Sequence, residues 1–196
     1  MHTDPYMPAR QDVPDPQAWD ERAIMQAAQH DPAAFAPLYE RYFGRIYAYC
    51  LRRVSTPQEA EDLTSAVFIR VLKGLPDYRG GHVAAWLFRI ARNAINNHYR
   101  SDRPLVSLED AETILPDDAP SPIEQVLRAE ERQAIRALVA DLPGDQQDLL
   151  ALKLVGELNS DEIGAVVGKR AGAVRVELHR IIKRLRLRYR QIIEEA

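Results

Sequence analysis

Apolar residues recur at the three-four spacing of an amphipathic helix along most of this chain, and no stretch alternates convincingly at period two. Phe35, Leu38, Tyr39, Tyr42, Phe43, Ile46, Tyr47, Cys50 and Leu51 form the longest stripe, over more than four turns, and read as core. Ahead of it, Asp31-Pro32 joins a side-chain cap to a proline at the first helical position, so the first good helix is expected to open there. Thr56-Pro57-Gln58-Glu59 has the form of a capping box. The helix behind it carries Leu63, Val67, Phe68, Val71 and Leu72 inward and should stop at Leu75-Pro76. After a turn at Gly80-Gly81, a third helix over roughly 83–100 turns Leu87, Ile90, Ala91, Ala94 and Ile95 to the core. A further capping box, Ser121-Pro122-Ile123-Glu124, restarts helices that pass Ile135, Leu138 and Val139. They break at Leu142-Pro143-Gly144 and continue through Leu149, Leu150 and Leu152. In the last helix Val174, Leu178, Ile181, Leu185 and Ile192 share one face. The expected fold class is all-α.

The segments between these helices divide the chain. Residues 1–22 are rich in Pro, Asp and Gln, lack periodicity and read as a disordered tail, with Trp19 and Ile24 beginning its attachment. Residues 101–121, with Pro104, Pro116, Pro120, Asp110, Asp117 and Asp118, read as a flexible acidic linker. Fully extended it would reach about 70 Å, enough for two modules to touch DNA about two turns apart. Two small helical domains follow, over 23–100 and 122–190, with 191–196 as the C-terminal end.

Charge sharpens the second domain. Between Lys169 and Arg190 stand nine Lys or Arg and the single acid Glu177, in a chain whose net charge is −3. Before this cationic helix, Asn159-Ser160-Asp161-Glu162-Ile163-Gly164 reads as a short acidic helix start with Ser160 as its cap, and Gly168 as a turn. Two helices around a glycine-containing turn, the second one basic, have the form of a helix-turn-helix. Concentrated positive charge of this kind suits phosphate, because each neutralised contact also releases counterions. A solvated face on a bundle helix is the plainer alternative.

The third helix has a second, polar face: Trp86, Arg89, Asn93, Asn96, Asn97 and Arg100 follow helical spacing opposite the core residues. Asparagine is a poor helix former, so several in one helix need a reason. Amides hydrogen-bond base edges, arginines hold phosphates and tryptophan stacks on an unpaired base; an ordinary polar surface is the competing reading. On the second helix Glu59, Glu61 and Asp62 lie beside Thr64 and Ser65, both expected to be exposed. Acids there complement the helix dipole, or form a docking surface for a basic partner.

Little in the chain points to catalysis. It has no phosphate-binding glycine loop, zinc-like His pairing or nucleophile motif, and its five histidines are scattered. One cysteine, Cys50, excludes a disulfide framework and reads as a buried small hydrophobe. With no signal-peptide core and no apolar run of membrane length, the expected compartment is the cytoplasm. No cofactor or metal is expected.

Both halves resemble the bacterial sigma factors, specifically the extracytoplasmic-function (ECF) class of the sigma-70 family. Glu59-Ala60-Glu61-Asp62-Leu63-Thr64-Ser65-Ala66-Val67-Phe68-Ile69 resembles that family's core-polymerase-binding helix. Ala85-Trp86-Leu87-Phe88-Arg89-Ile90-Ala91-Arg92-Asn93 resembles its segment for melting the −10 element. Leu142-Pro143, Ser160-Asp161-Glu162-Ile163 and Gly172-Ala173-Val174-Arg175 through Leu178-His179-Arg180 resemble its reader of the −35 element. The resemblance implies a non-enzymatic initiation factor that binds core RNA polymerase, directs it to promoters and melts one element. It places Glu61, Asp62, Leu63 and Phe68 on or beneath the surface docked to the polymerase β′ clamp. Trp86, Arg89, Arg92, Asn93, Asn96 and Asn97 would face the melted strand. Arg170, Arg175, Val176, Glu177, His179, Arg180 and Lys183 would enter or flank the duplex major groove. An anti-sigma factor is implied as a further partner. Two positions depart from the family pattern. Ala173 stands where Thr is common, removing a hydroxyl contact to phosphate. Glu177 stands where Arg is common, reversing the local charge; it could accept from a cytosine amino group, or pair with Arg180 or Arg184.

Two other functions fit parts of the pattern. A helix-turn-helix regulator acting without polymerase would bind specific duplex tightly by itself. A helical adaptor whose basic helix grips an acidic protein or membrane surface would show no promoter preference.

Overall fold

The computed structural model describes residues 20–101 and 122–195, and all its regular elements are helical. The expectations for 1–19, for the linker at 102–121 and for the Ser121 cap lie outside the described residues. Eight α-helices follow one another: α1 (Glu21–His30), α2 (Ala36–Leu51), α3 (Pro57–Gly74), α4 (Val83–Ser101), α5 (Pro122–Ala140), α6 (Gly144–Leu154), α7 (Ser160–Val167) and α8 (Ala171–Glu195).

Capping chemistry sets most of these boundaries. Thr56 and Glu59 form the expected reciprocal box at the start of α3, where Thr56 Oγ1 accepts from the Glu59 amide at 3.2 Å. The first helix differs from expectation. Asp20 accepts the amides of Arg22 and Ala23, so α1 begins inside the stretch read as tail. Asp31-Pro32 instead opens a 3-10 turn, Pro32–Phe35, which feeds α2. At the head of α7 the cap is Asn159, not Ser160: Asn159 Oδ1 accepts the amides of Asp161 and Glu162, and Glu162 accepts the Asn159 amide.

The first module packs α2, α3 and α4 around Leu38, Ile46, Val67, Val71, Leu87 and Ile95, all fully or almost fully buried. Cys50 is buried there, and burial pushes its thiol up to about 11. Thr64, expected at the surface, is buried too; its hydroxyl donates to the Ala60 carbonyl at 2.6 Å, so a threonine can sit inside without an unmet polar group. In the second module α8 packs against α5, α6 and α7, with Val174, Leu178 and Ile181 buried. Ile135 and Ile192, placed on apolar faces by their spacing, are exposed.

The two modules dock on each other. Helix α4 lies against α7, and one hydrophobic core contains residues from both. Gly156, between α6 and α7, makes close docking feasible: a Cβ there would stand 3.0 Å from the buried ring of Phe88 on α4 and 2.7 Å from the Leu152 carbonyl. Arg45 of α2 donates to the Gly156 carbonyl and lies over the rings of Tyr42 and Phe88.

Candidate polymerase and nucleic-acid surfaces

The helix-turn-helix is built on two glycines. Gly168 ends α7 in the left-handed region (φ 73°), where L side chains are strained. Both its amide and that of Lys169 donate to the Gly164 carbonyl, at 2.8 and 3.0 Å. Gly164 has no room for a side chain, since a Cβ would fall 2.5 Å from the Lys169 carbonyl oxygen. The turn therefore brings α8 in tightly, burying Val174 and Leu178 and leaving Arg175, Val176, His179, Arg180 and Lys183 outward; Arg170 is exposed at the turn. Glu177 pairs neither with Arg180 nor with Arg184. Its carboxylate meets Lys169 Nζ at 2.7 Å, across the turn. Arg184 instead donates to Gln146 and Arg188 pairs with Asp141, fastening α8 to the preceding helices.

On α4, Arg89, Asn93, Asn96 and Asn97 are exposed along one side, opposite the buried Leu87, Ala91, Ala94 and Ile95. Trp86 is not on the open face with them. It is half-buried, edge-on to Tyr78 with ring centroids 5.2 Å apart, and its ring lies close to Gly74. Arg92 is drawn sideways by Asp148 of the second module, its Nε 2.6 Å from the carboxylate.

Sequence periodicity missed a third surface. Tyr39, Phe43 and Leu72 were expected in the core, but all are exposed, and Leu72 stands beside the exposed Ile69 on α3. Phe68 lies buried beneath, its ring 4.7 Å from Tyr39 and 6.1 Å from Phe43. Stacked Phe43 and Tyr47 extend the aromatic row along α2. Burial and then the charge of Glu61 raise the Tyr47 phenol, which puts the acidic start of α3 at the edge of the row. Of the four residues expected to dock polymerase, Glu61 and Asp62 are exposed while Leu63 and Phe68 are buried supports. The exposed apolar residues of this face are Tyr39, Phe43, Ile69 and Leu72. The doublets Leu38-Tyr39, Tyr42-Phe43 and Ile46-Tyr47 were the available signal, since they make the stripe wider than one core contact requires.

Among the described residues no cluster of His, Cys, Asp or Glu could hold a metal ion, and no helix is long and apolar enough to cross a membrane.

Two family models match this arrangement: Sigma-70 region 2 over residues 38–104, which contains α3 and α4, and Sigma-70 region 4 over 132–185, which contains the helix-turn-helix. The chain is 34% identical over 168 residues to the ECF RNA polymerase sigma factor BldN of Streptomyces coelicolor, covering 84% of this chain and 62% of BldN. It is 30% identical over 190 residues to the RNA polymerase sigma-H factor of Pseudomonas aeruginosa, covering 92% and 98%. The solved structure of CnrH in complex with the cytosolic domain of CnrY matches with a TM-score of 0.61 at 19% identity, over 85% of this chain and 94% of that one, and shows the same fold. The protein belongs to the sigma-70 family of transcription initiation factors, in its ECF class.

Proposed function

We propose that this chain confers promoter specificity on RNA polymerase through three surfaces. The α2–α3 face docks on the β′ clamp of the core enzyme, α8 reads the −35 duplex, and α4 holds the melted −10 strand. The observation that carries this reading is the exposed row Arg89, Asn93, Asn96 and Asn97 on a helix otherwise committed to the core. Amides on such a row can pair with the Watson–Crick edges that an opened duplex exposes. Flipping a base from the stack costs a few kcal/mol, which a fitted site offsets, so recognition and melting become one event. Trp86, half-buried and held edge-on by Tyr78, would support the row from its side.

Helix α8 acts on closed duplex. Arg175 and Arg180 point outward from buried Val174, Leu178 and Ile181, a geometry suited to the major groove. Apolar surface around Phe68 with an acidic margin suits a partner that is apolar at its centre and basic at its rim. RNA synthesis itself belongs to the polymerase, so this chain is not an enzyme. It works in the cytoplasm, and an anti-sigma factor is its further partner by family resemblance.

Direct association tests the docking assignment. Labelled protein titrated with core RNA polymerase should bind, and the double variant Ile69→Asp, Leu72→Asp should not, while keeping its helical circular dichroism. Equal binding by both proteins would remove the α2–α3 face from the proposal.

A further inference from the structure

The interface between the modules has a charged centre. Asp148 of α6 is 4% exposed, and among the described residues its carboxylate meets three side chains of the other module. The Tyr49 hydroxyl donates to it at 2.5 Å, Arg92 Nε at 2.6 Å, and an Arg53 nitrogen stands 3.6 Å away. Burial, followed by the nearby Asp148 charge, holds the Tyr49 phenol well above its ordinary range, so it stays a donor. Around this centre lie Phe88 against Gly156 and Arg45 between the Gly156 carbonyl and Glu157.

Three features give this centre a role beyond packing. First, Arg92 lies beside the proposed nucleic-acid row of α4, and while the modules are docked its Nε is engaged by a carboxylate. Second, the Arg53 nitrogen facing Asp148 is buried and has no hydrogen bond, so the carboxylate leaves one donor of its partners unmet. A phosphodiester carries the same single charge and two anionic oxygens as a carboxylate, but successive phosphates along a strand can engage both arginines at once. Third, a buried ion cluster is a weak source of net stability compared with apolar packing, yet it has well-defined made and broken states. The connecting residues can span about 70 Å, so chain connectivity does not enforce the docking.

We propose that Asp148 is an internal anion that latches the second module onto the first, and that the phosphate backbone of a single strand on α4 displaces it from Arg92 and Arg53. The docked form then holds the −10 face incompletely available, and engagement of the strand releases the second module from the first. This rests on the reading of α4 as a nucleic-acid face, but the docking itself is measurable without DNA.

Small-angle X-ray scattering on the full chain provides that measurement. Wild type should be compact. Asp148→Asn, which keeps the shape but removes the charge, should increase the radius of gyration and lengthen the pair-distance distribution. Tyr49→Phe, which removes only one hydroxyl, should shift the distribution the same way by less, and it serves if the first variant fails to fold. Adding oligothymidylate to wild type should extend it, and its affinity for Asp148→Asn should be on the order of tenfold tighter, because the competent form is no longer a minor one. Unchanged dimensions in both variants would overturn the latch. Open variants that bind oligothymidylate no better than wild type would overturn displacement by phosphate. Neither outcome depends on whether the chain supports transcription, which fails or succeeds separately.

Discussion

Helix α4 exposes three amides and Arg89 on its proposed strand-binding face, whereas α8 exposes Arg175, Arg180 and Lys183 around Val176 and His179 on its proposed duplex-binding face. The materials differ because the targets do. Cations attract a duplex from a distance and release its counterions, so binding through α8 should fall steeply with salt. Amides attract little at long range but discriminate once base edges are within hydrogen-bond reach. On the proposed reading, one surface finds and holds the duplex, and the other engages an opened strand. Their scaffolds differ as well: α4 is held by core packing and by the second module, while α8 packs within its own module and is oriented by one tight turn.

Perturbing that turn should separate the two surfaces most strongly. Gly164→Val drives a side chain into the Lys169 carbonyl and should cost about 3 kcal/mol of stability. Thermal melting should show the loss, and duplex binding should disappear while association with core polymerase persists. A variant with wild-type melting would mean that the turn relaxes freely. Next in size, Arg175→Ala should weaken use of the −35 element by roughly 1–3 kcal/mol if it makes a bidentate base contact. An unchanged promoter profile would refute that contact. Asn93→Ala should act on the other surface alone, by roughly 1–2 kcal/mol. Permanganate reactivity should show impaired opening of a linear template and near-normal use of a pre-melted one; equal defects on both templates would argue against a role in opening. The smallest effect is expected from Thr56→Ala, which removes the cap of α3 and should lower stability by about 1 kcal/mol. Duplex affinity should not change, and a change would show that α3 communicates with α8.

Much of the helical framework was legible because its signals are local. Thr56 with Glu59, the doublets along α2 and Gly168 act within one or two turns, so neighbouring residues are enough to read them. Helix α1 escaped because its start is marked only by Asp20, inside a proline-rich, aperiodic stretch. The open aromatic face escaped for a geometric reason. Tyr39 and Phe43 are one position beyond Leu38 and Tyr42, and an over-wide stripe does not reveal which edge meets the core. Arg92 could be placed on α4 from spacing, but not its attachment to Asp148, whose partners lie 56 and 99 residues earlier in the chain. Glu177 is a shorter-range case of the same problem. Its partner, Lys169, sits across the turn and not on the same helical face, so helix periodicity pointed to the wrong cations.

Run-off transcription with purified core polymerase on a pool of promoter fragments tests the central claim most directly. Adding this protein should produce start sites absent with core alone, and the transcribed fragments should share two sequence elements spaced as α4 and α8 require. Start sites unchanged by the protein, or the same sites after Asn93→Ala and Arg175→Ala are combined, would contradict it.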